Sequence, residues 1–107
     1  MEILKYIENV DHTNEREMFS LNEKVYEWLL SVNPKTKYGQ FVFSRDALKS
    51  IRPEGWKFSE IRTEEIGYSC RFWKKGVGNK TGYEIRTEEL AELHAIIQAI
   101  EYERTKQ

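Results

Sequence analysis

Apolar residues recur at helical spacing across the first third of the chain. The stripe consists of Met18, Leu21, Val25, Leu29 and Val32. Side chains three or four residues apart share one face of a helix, so this pattern predicts an amphipathic helix. Thr13 or Asn14 can cap its start, acidic residues fill its first turn, and Pro34 closes it.

Shorter patterns surround that helix. Residues 2–7, EILKYI, mix β-branched and aromatic residues and predict a short strand. Residues 38–43, YGQFVF, predict a second strand for the same reason. Residues 44–51, SRDALKSI, begin with a capping serine and predict a short helix with Leu48 and Ile51 inward.

The hexapeptide EIRTEE occurs twice, at residues 60–65 and 84–89, with different continuations. After the second copy, Thr87 can act as a helix cap, and an apolar stripe at helical spacing follows. The stripe consists of Leu90, Leu93, Ile97 and Ile100. After the first copy the pattern alternates, so residues 63–67 are interpreted as a bend between two strands.

Alternation divides the strand after that bend into two faces. The inward residues would be Ile66, Tyr68, Cys70 and Phe72, and the outward residues would be Ser69, Arg71, Trp73 and Lys75. In the next strand, TGYEIR, we expect Tyr83 and Ile85 inward, and Glu84 and Arg86 outward. The alternation breaks within WKFSEIR, at residues 56–62, where we expect a bulge.

Length and composition indicate one domain. The chain has 107 residues, of which 39% are hydrophobic, enough for a single core. The patterns above predict an α+β fold, in which strands are followed by a long C-terminal helix and an additional helix precedes them. Residues 1–54 would form an extension, and residues 55–107 the sheet and helix. With no apolar run of about 18 residues and no signal-peptide pattern, the chain is expected to be cytoplasmic.

Charge is unevenly distributed along the chain. Residues 1–34 carry 3 Lys and Arg against 7 Asp and Glu, whereas residues 35–86 carry 12 against 6. Residues 87–107 carry 2 against 5. The net charges are therefore −4, +6 and −3, and a polyanion would meet the basic middle segment rather than the average.

Catalytic motifs are absent from the sequence. It contains no glycine-rich phosphate loop and no nucleophile elbow, and Cys70 is expected to point inward. His12 and His94 lack the spacing of zinc ligands and are expected on the surface. We therefore expect no enzyme, no metal and no cofactor.

The outward row of the central strand carries the main functional signal. Arg71 and Lys75 can neutralise phosphates, and Trp73 can stack on a base, which is the chemistry of single-stranded nucleic-acid binding. From alternation alone, a second reading stays open, in which Trp73 covers a helix or an edge and the cations are ordinary surface charges.

Residues 55–100 resemble the transcriptional coactivator family known as positive cofactor four. The resemblance is carried by GWK at 55–57, Arg62, YSCRFW at 68–73 and TGYEIRTEELAEL at 81–93. In that family an aromatic-and-arginine strand and a glycine-bearing loop precede a strand of the pattern glycine, hydrophobic, polar, hydrophobic, which runs into a long C-terminal helix.

The resemblance implies a curved antiparallel sheet of three to five strands packed against the long C-terminal helix, single-stranded DNA lying across that sheet, and a homodimer made partly through the last helix. The chemistry of the sheet face by itself admits single-stranded DNA or RNA. The dimer residues would be Leu90, Leu93, Ile97 and Ile100, although one monomer could equally bury them all. With Arg86 added from the strand pattern, the predicted nucleic-acid-binding residues are Trp56, Lys57, Arg62, Arg71, Trp73, Lys75 and Arg86.

Two other functions fit the same sequence. The first is a small protein-binding inhibitor or adaptor, of the kind that phages and mobile elements encode, which would act on a partner protein through its acidic helix. The acidic residues concerned are Glu15, Glu17, Glu23 and Glu27. The second is a winged-helix reader of duplex DNA, with Arg45, Lys49 and Arg52 at the groove.

Overall fold

The computed structural model describes residues 1–106 and has the α+β architecture that the sequence predicts. The helices are α1 (Glu2–Asn9), α2 (Glu15–Val32), α3 (Arg45–Lys49) and α4 (Glu88–Thr105). The strands are β1 (Lys57–Glu64), β2 (Gly67–Lys74) and β3 (Gly78–Ile85). They form one antiparallel sheet in the order β1-β2-β3, so each strand pairs with its neighbour in sequence.

Two irregularities shape the sheet. The register of β1 against β2 shifts between Phe58 and Glu60, within the segment where the broken alternation predicts a bulge. The register of β2 against β3 shifts between Tyr68 and Cys70. Glu65 and Ile66 form the turn between β1 and β2, which confirms the predicted bend.

Helix α4 lies directly against the sheet at Gly82. A Cβ atom on Gly82 would stand 2.4 Å from the carbonyl oxygen of Ala91 in α4, so the close approach of helix and strand depends on the missing side chain. Cys70 and Phe72 point to the same side and are fully buried. This side of the sheet is therefore the core side.

The opposite side of α4 packs against α1 and α3. Leu90, Leu93 and Ile97 are completely buried within the chain, and Ile100 is partly buried against the same core. A homodimer formed through these side chains would require α4 to leave its own core. These residues are buried inside one monomer, which is the alternative to a dimer interface that the sequence left open.

The segment EILKYI is a helix, and the strand expected there was wrong. Ile3 and Ile7 are four residues apart and both are buried, so the helical spacing of two core residues prevails over their β-branched character. Tyr6 Oη also donates a hydrogen bond to Glu2 across one turn of α1, at 2.7 Å. Composition favoured a strand, but the packing partner selects a helix.

The strand expected at YGQFVF was also wrong, because a buried side chain satisfies its backbone. Asn22 of α2 is 1% exposed. Its Nδ2 donates to the Gly39 carbonyl at 3.0 Å, and its Oδ1 accepts from the Val42 N–H at 3.1 Å. With these groups paired, Phe41 and Val42 enter the core from a turn rather than from a sheet.

The long N-terminal helix and the short one after it are confirmed. Asn14 caps α2 by accepting from the Glu17 N–H, and Ser44 caps α3 by accepting from the Ala47 N–H. Leu48 is fully buried, and Ile51 packs partly buried against the core. Both helices thus contribute to the core that α4 and the sheet share.

A buried carboxylate joins the extension to α4. Glu92 is 0% exposed. Its Oε1 accepts from Arg45 Nε at 2.9 Å and its Oε2 accepts from Arg52 Nη2 at 3.1 Å. A buried charge is tolerated when paired and hydrogen-bonded, and here both partners come from the extension.

His94 is buried, so the expectation that it lies on the surface was wrong. Its Nε2 lies 2.7 Å from Glu8 Oε2, and its Nδ1 lies 2.9 Å from Gln98 Nε2. Gln98 Nε2 also donates to the Thr81 carbonyl, which identifies that amide atom as the nitrogen. In the neutral imidazole, Nδ1 therefore accepts and Nε2 donates to Glu8, which links α4 to α1.

Among residues 1–106, no helix is both long and apolar enough to cross a membrane.

Replacing the buried carboxylate tests its structural role. We expect Glu92→Gln to lower the free energy of unfolding by about 3 kcal/mol, because two arginines lose the charge that balances them. Urea denaturation measures the effect. Glu88→Gln is the matched control, since Glu88 meets Arg45 at 3.9 Å on the surface and should cost under about 1 kcal/mol. Equal losses in the two variants would contradict this role.

Candidate nucleic-acid interface

The side of the sheet that faces away from α4 carries the candidate site. Trp73 projects from this side and is 42% exposed, as the alternation along β2 predicts. Ile66, which the same alternation placed inward, lies instead in the turn before β2 and is 56% exposed, so that expectation was wrong. Across the strands Trp73 pairs with Lys57 of β1 and Asn79 of β3. An exposed indole with a cation in the adjacent strand is a geometry on which a base can stack. We call this side the open face.

Two arginines on the open face share one carboxylate. Arg62 Nη2 lies 3.2 Å from Glu60 Oε1, and Arg71 Nη1 lies 3.2 Å from the same oxygen. Both arginines are partly exposed, so their remaining N–H groups can reach a ligand. Glu60 holds the two guanidinium groups together while leaving a local excess of one positive charge. Sequence reasoning did not single out Glu60.

Tyr83 also lies exposed beside these groups, and the expectation that it points inward was wrong. Gly82 pairs with Cys70 and Ile85 pairs with Tyr68, so two residues of β3 stand opposite one residue of β2. Glu84 takes a left-handed backbone conformation, with φ of 55°, as residues in bulges can. The extra residue reverses the alternation, so Ile85 is buried while Tyr83 is 64% exposed.

The centre of the open face is a shallow depression of about 30 Å³. Its lining includes Arg62, Ser69, Arg71, Thr81 and Tyr83. The volume is far below the 300–1,000 Å³ typical of small-molecule pockets. A ligand would therefore lie across this surface rather than enter it.

Acidic groups limit the charge of the open face. Glu64 accepts a hydrogen bond from Ser69 Oγ at 3.2 Å, and Glu60 binds the two arginines. Against these two carboxylates stand Lys57, Arg62 and Arg71. Counted over these five residues, the excess is one positive charge.

The other predicted residues lie around this face or away from it. Lys75 is exposed in the turn between β2 and β3, and Arg86 is exposed just after β3. Trp56 does not belong to the open face, because it is 5% exposed and part of the core. Its indole Nε1 donates to Glu103 Oε1 at 2.9 Å, so Trp56 anchors α4.

The arginines proposed for a duplex groove are engaged in the core. Arg45 and Arg52 both bind Glu92, and Lys49 pairs with Asp46 at 3.2 Å. Helix α3 spans five residues, short for a recognition helix. Arg45 and Arg52 are therefore engaged within the chain, while Lys49 stays exposed, and the winged-helix interpretation stays a prediction.

Reactive groups are scarce near the open face. Burial raises the pKa of the Cys70 thiol to about 12, and the negative charge of Glu92 adds to the shift, so the thiol stays protonated at neutral pH. Residues 1–106 contain no group of three or more His, Cys, Asp or Glu side chains placed to hold a metal ion.

Comparisons with protein-family models, with curated proteins and with solved structures each found no match to this chain. The resemblance to positive cofactor four therefore stays an expectation from the residues that carry it.

The Trp56 anchor makes a prediction about acid. Hydrogen bonds from Lys106, Lys74 and Trp56 lower the pKa of Glu103 from 4.5 to about 2. A carboxyl with a depressed pKa stabilises the fold above its unfolded pKa, and that stabilisation is lost as pH falls from about 4.5 towards 2. We expect the NMR signal of the Trp56 indole N–H to stay constant between pH 6 and about 3.5. A transition near pH 4.5 would contradict the depressed pKa.

Glu103→Gln supplies the control for that measurement. It removes the titrating group, so the acid limb of stability against pH should become flatter than in the wild type between about pH 4.5 and 2. Glu101→Gln, which removes a surface carboxylate paired with Arg104, should leave the Trp56 signal unchanged.

Proposed function

We propose that this protein binds single-stranded nucleic acid across the open face. The observation that carries the proposal is the exposure of Trp73 on the same side as Lys57, Arg62 and Arg71. Stacking on aromatic rings together with cations that track phosphates is the usual chemistry of such binding, and it needs no deep pocket.

Tyr83 extends the stacking surface. It lies beside Ser69, four residues from Trp73 along β2, which corresponds to roughly 13 Å at about 3.3 Å per residue. Bases stacked at about 3.4 Å would place about four nucleotides over that length. The two rings thus form the ends of a short platform. Arg71 lies between them along β2, and Arg62 of β1 lies across the sheet from Tyr83, opposite Ser69.

The modest charge of the open face fits a weak, salt-sensitive complex. Three or four phosphate contacts, drawn from Lys57, Arg62, Arg71 and Lys75, are geometrically reasonable. For single strands, the slope of log affinity against log salt concentration is about −0.7 per phosphate contact. We therefore expect a slope of about −2 to −3. Duplex DNA is rigid and hides its bases from a stacking ring, so we expect it to bind more weakly.

Truncating Trp73 is the direct test. We expect Trp73→Ala to lower the affinity for a dT12 oligonucleotide about fivefold or more, because stacking on an aromatic ring contributes about 1–3 kcal/mol per base. Fluorescence anisotropy of labelled dT12 at two salt concentrations measures both affinity and slope. Phe19→Ala is the matched control, since Phe19 is 47% exposed but lies on α2, away from the sheet.

Three outcomes would count against the proposal. They are unchanged affinity in Trp73→Ala, affinity that ignores salt, and an equal loss in Phe19→Ala. Tighter binding to a duplex of the same length would keep nucleic acid as the ligand but overturn the stacking mode.

A second candidate function, binding to a partner protein, rests on the exposed side of α2. Glu15, Phe19, Glu23 and Glu27 recur every four residues and are all exposed, so they share one face. The Phe19 ring lies 5.1 Å from the ring of Phe43, which is also exposed. An aromatic pair among carboxylates suits a basic protein surface with an apolar pocket.

This second function makes a separate prediction. A partner captured at one-to-one stoichiometry by the wild-type chain should be lost with Phe19→Ala, because aromatic anchors dominate interface energies. It should be retained with Trp73→Ala. Size-exclusion chromatography of the purified pair checks the stoichiometry. If Trp73→Ala loses the partner and Phe19→Ala retains it, the partner binds the sheet rather than α2.

A further inference from the structure

A cleft of about 460 Å³ lies outside the open face, since none of the residues that line it belongs to a strand. It forms where the end of α2 and the loop after it meet the segment that follows α3 and the Ile100 side chain of α4. Its volume falls within the range of small-molecule sites. None of the functions considered above uses it.

The floor of the cleft is apolar. Leu29 is buried, and Ile51 and Ile100 pack partly buried against the core. Val32 and Pro53 add further apolar surface. Carbon atoms of a bound molecule would therefore be removed from water on this floor, which favours a ligand with an apolar body.

The charged residues that line the cleft are all cations. They are Lys35, Lys37 and Arg52, and no Asp or Glu lines it. The lysines that form ion pairs within residues 1–106 are Lys49, Lys74 and Lys106, so Lys35 and Lys37 have no carboxylate partner there. A cleft lined by one sign of charge attracts the opposite sign.

Arg52 is held in place at the edge of this cleft. Its Nη2 donates to Glu92 at 3.1 Å, and its guanidinium carbon lies 5.8 Å and 5.3 Å from the ring centroids of Phe58 and Phe72. Its buried Nε has no hydrogen-bond partner among the described residues. The charge of Arg52 is thus already paired inside the molecule. Arg52 forms a fixed wall of the cleft, and Lys35 and Lys37 are the cations left for a ligand.

We propose that this cleft binds a small organic anion with an apolar body, such as an aryl or alkyl carboxylate, sulfonate or phosphate ester. The head group lies near Lys35 and Lys37, and the body covers Leu29, Ile51 and Ile100. A neutral molecule of the same shape gains the apolar contacts but not the charge interaction, and a cation is repelled.

The test compares two fluorescent probes that differ by one charge. Anilinonaphthalene sulfonate carries the sulfonate head, and N-phenyl-1-naphthylamine lacks it. We expect the native protein to bind the sulfonate at one site, with NMR shifts concentrated at Leu29, Ile51 and Ile100, and to bind the neutral probe more weakly. Lys35→Gln/Lys37→Gln should lower the affinity for the sulfonate about tenfold and leave the neutral probe within twofold.

The matched control is Lys57→Gln/Lys75→Gln, which removes the same charge from the sheet side and should leave sulfonate binding unchanged. If both double variants lose affinity for the sulfonate equally, the loss reflects the net charge of the protein rather than the cleft, and the proposal is overturned. Unchanged affinity in Lys35→Gln/Lys37→Gln would also overturn the proposal. The two lysines would then interact only with the C-terminal end of α2. NMR shifts located elsewhere would overturn the proposal too.

The result does not depend on the nucleic-acid proposal. Lys35→Gln/Lys37→Gln should bind dT12 like the wild type, because both lysines lie away from the open face. Failure of one binding activity with survival of the other therefore distinguishes the two sites.

Discussion

The carboxylate of Glu92 is the interaction on which the arrangement of the whole chain depends. It lies fully buried in the middle of α4, where an unpaired charge would be strongly unfavourable. Arg45 and Arg52 reach it from the end of the N-terminal extension, and Arg52 also lies near the Phe72 ring of the sheet. One ionised group thereby couples the extension, the last helix and the sheet. Residues 1–54 are consequently part of the fold, and their core residues belong to the same cluster as those of the sheet.

The sequence predicts those parts of the fold in which one periodicity runs long enough to be unambiguous. Helix α2, the start of α4 at Thr87, the bend after β1 and the outward position of Trp73 all follow from apolar spacing and capping. Segments of six residues were less informative. EILKYI and YGQFVF both have strand composition. EILKYI becomes a helix because Ile3 and Ile7 are buried on one face, and YGQFVF becomes a turn because buried Asn22 satisfies its backbone. A partner such as Asn22 is distant in sequence, so local pattern does not reveal it.

The site shows the same division. Alternation along β2 places Arg71 and Trp73 correctly, because that strand has no bulge of its own. It fails in β3, where the extra residue at Tyr83 and Glu84 reverses the two faces, and no glycine at position 84 signals it. Gly82 was a usable signal, since an isolated glycine inside a strand marks a bulge or a close backbone approach. Trp56 was misassigned because a tryptophan beside a lysine looks the same in sequence whether its indole meets solvent or Glu103.

Charge in this molecule is separated by surface. The open face combines aromatic rings with a small positive excess, the exposed side of α2 combines an aromatic pair with carboxylates, and the cleft beside Arg52 combines an apolar floor with cations. These surfaces lie on different elements, so the near-zero net charge of the chain describes none of them. Each surface selects its ligands by its own local potential.

The contact between Gly82 and the Ala91 carbonyl has a consequence for recognising distant relatives. Helix and strand meet there without room for a methyl group. A chain that shares this packing must therefore keep glycine at the position of Gly82, whatever its ligand. Glu92, the next residue along the helix, is a buried carboxylate, so such a chain must also keep the two upstream arginines that pair with it. These spatial requirements are independent of the solvent-facing side chains, which are free to diverge. A search pattern built from the glycine, the carboxylate and its two arginines would therefore find chains that share this fold by descent. A pattern built from the surface aromatics would find chains that share a binding surface.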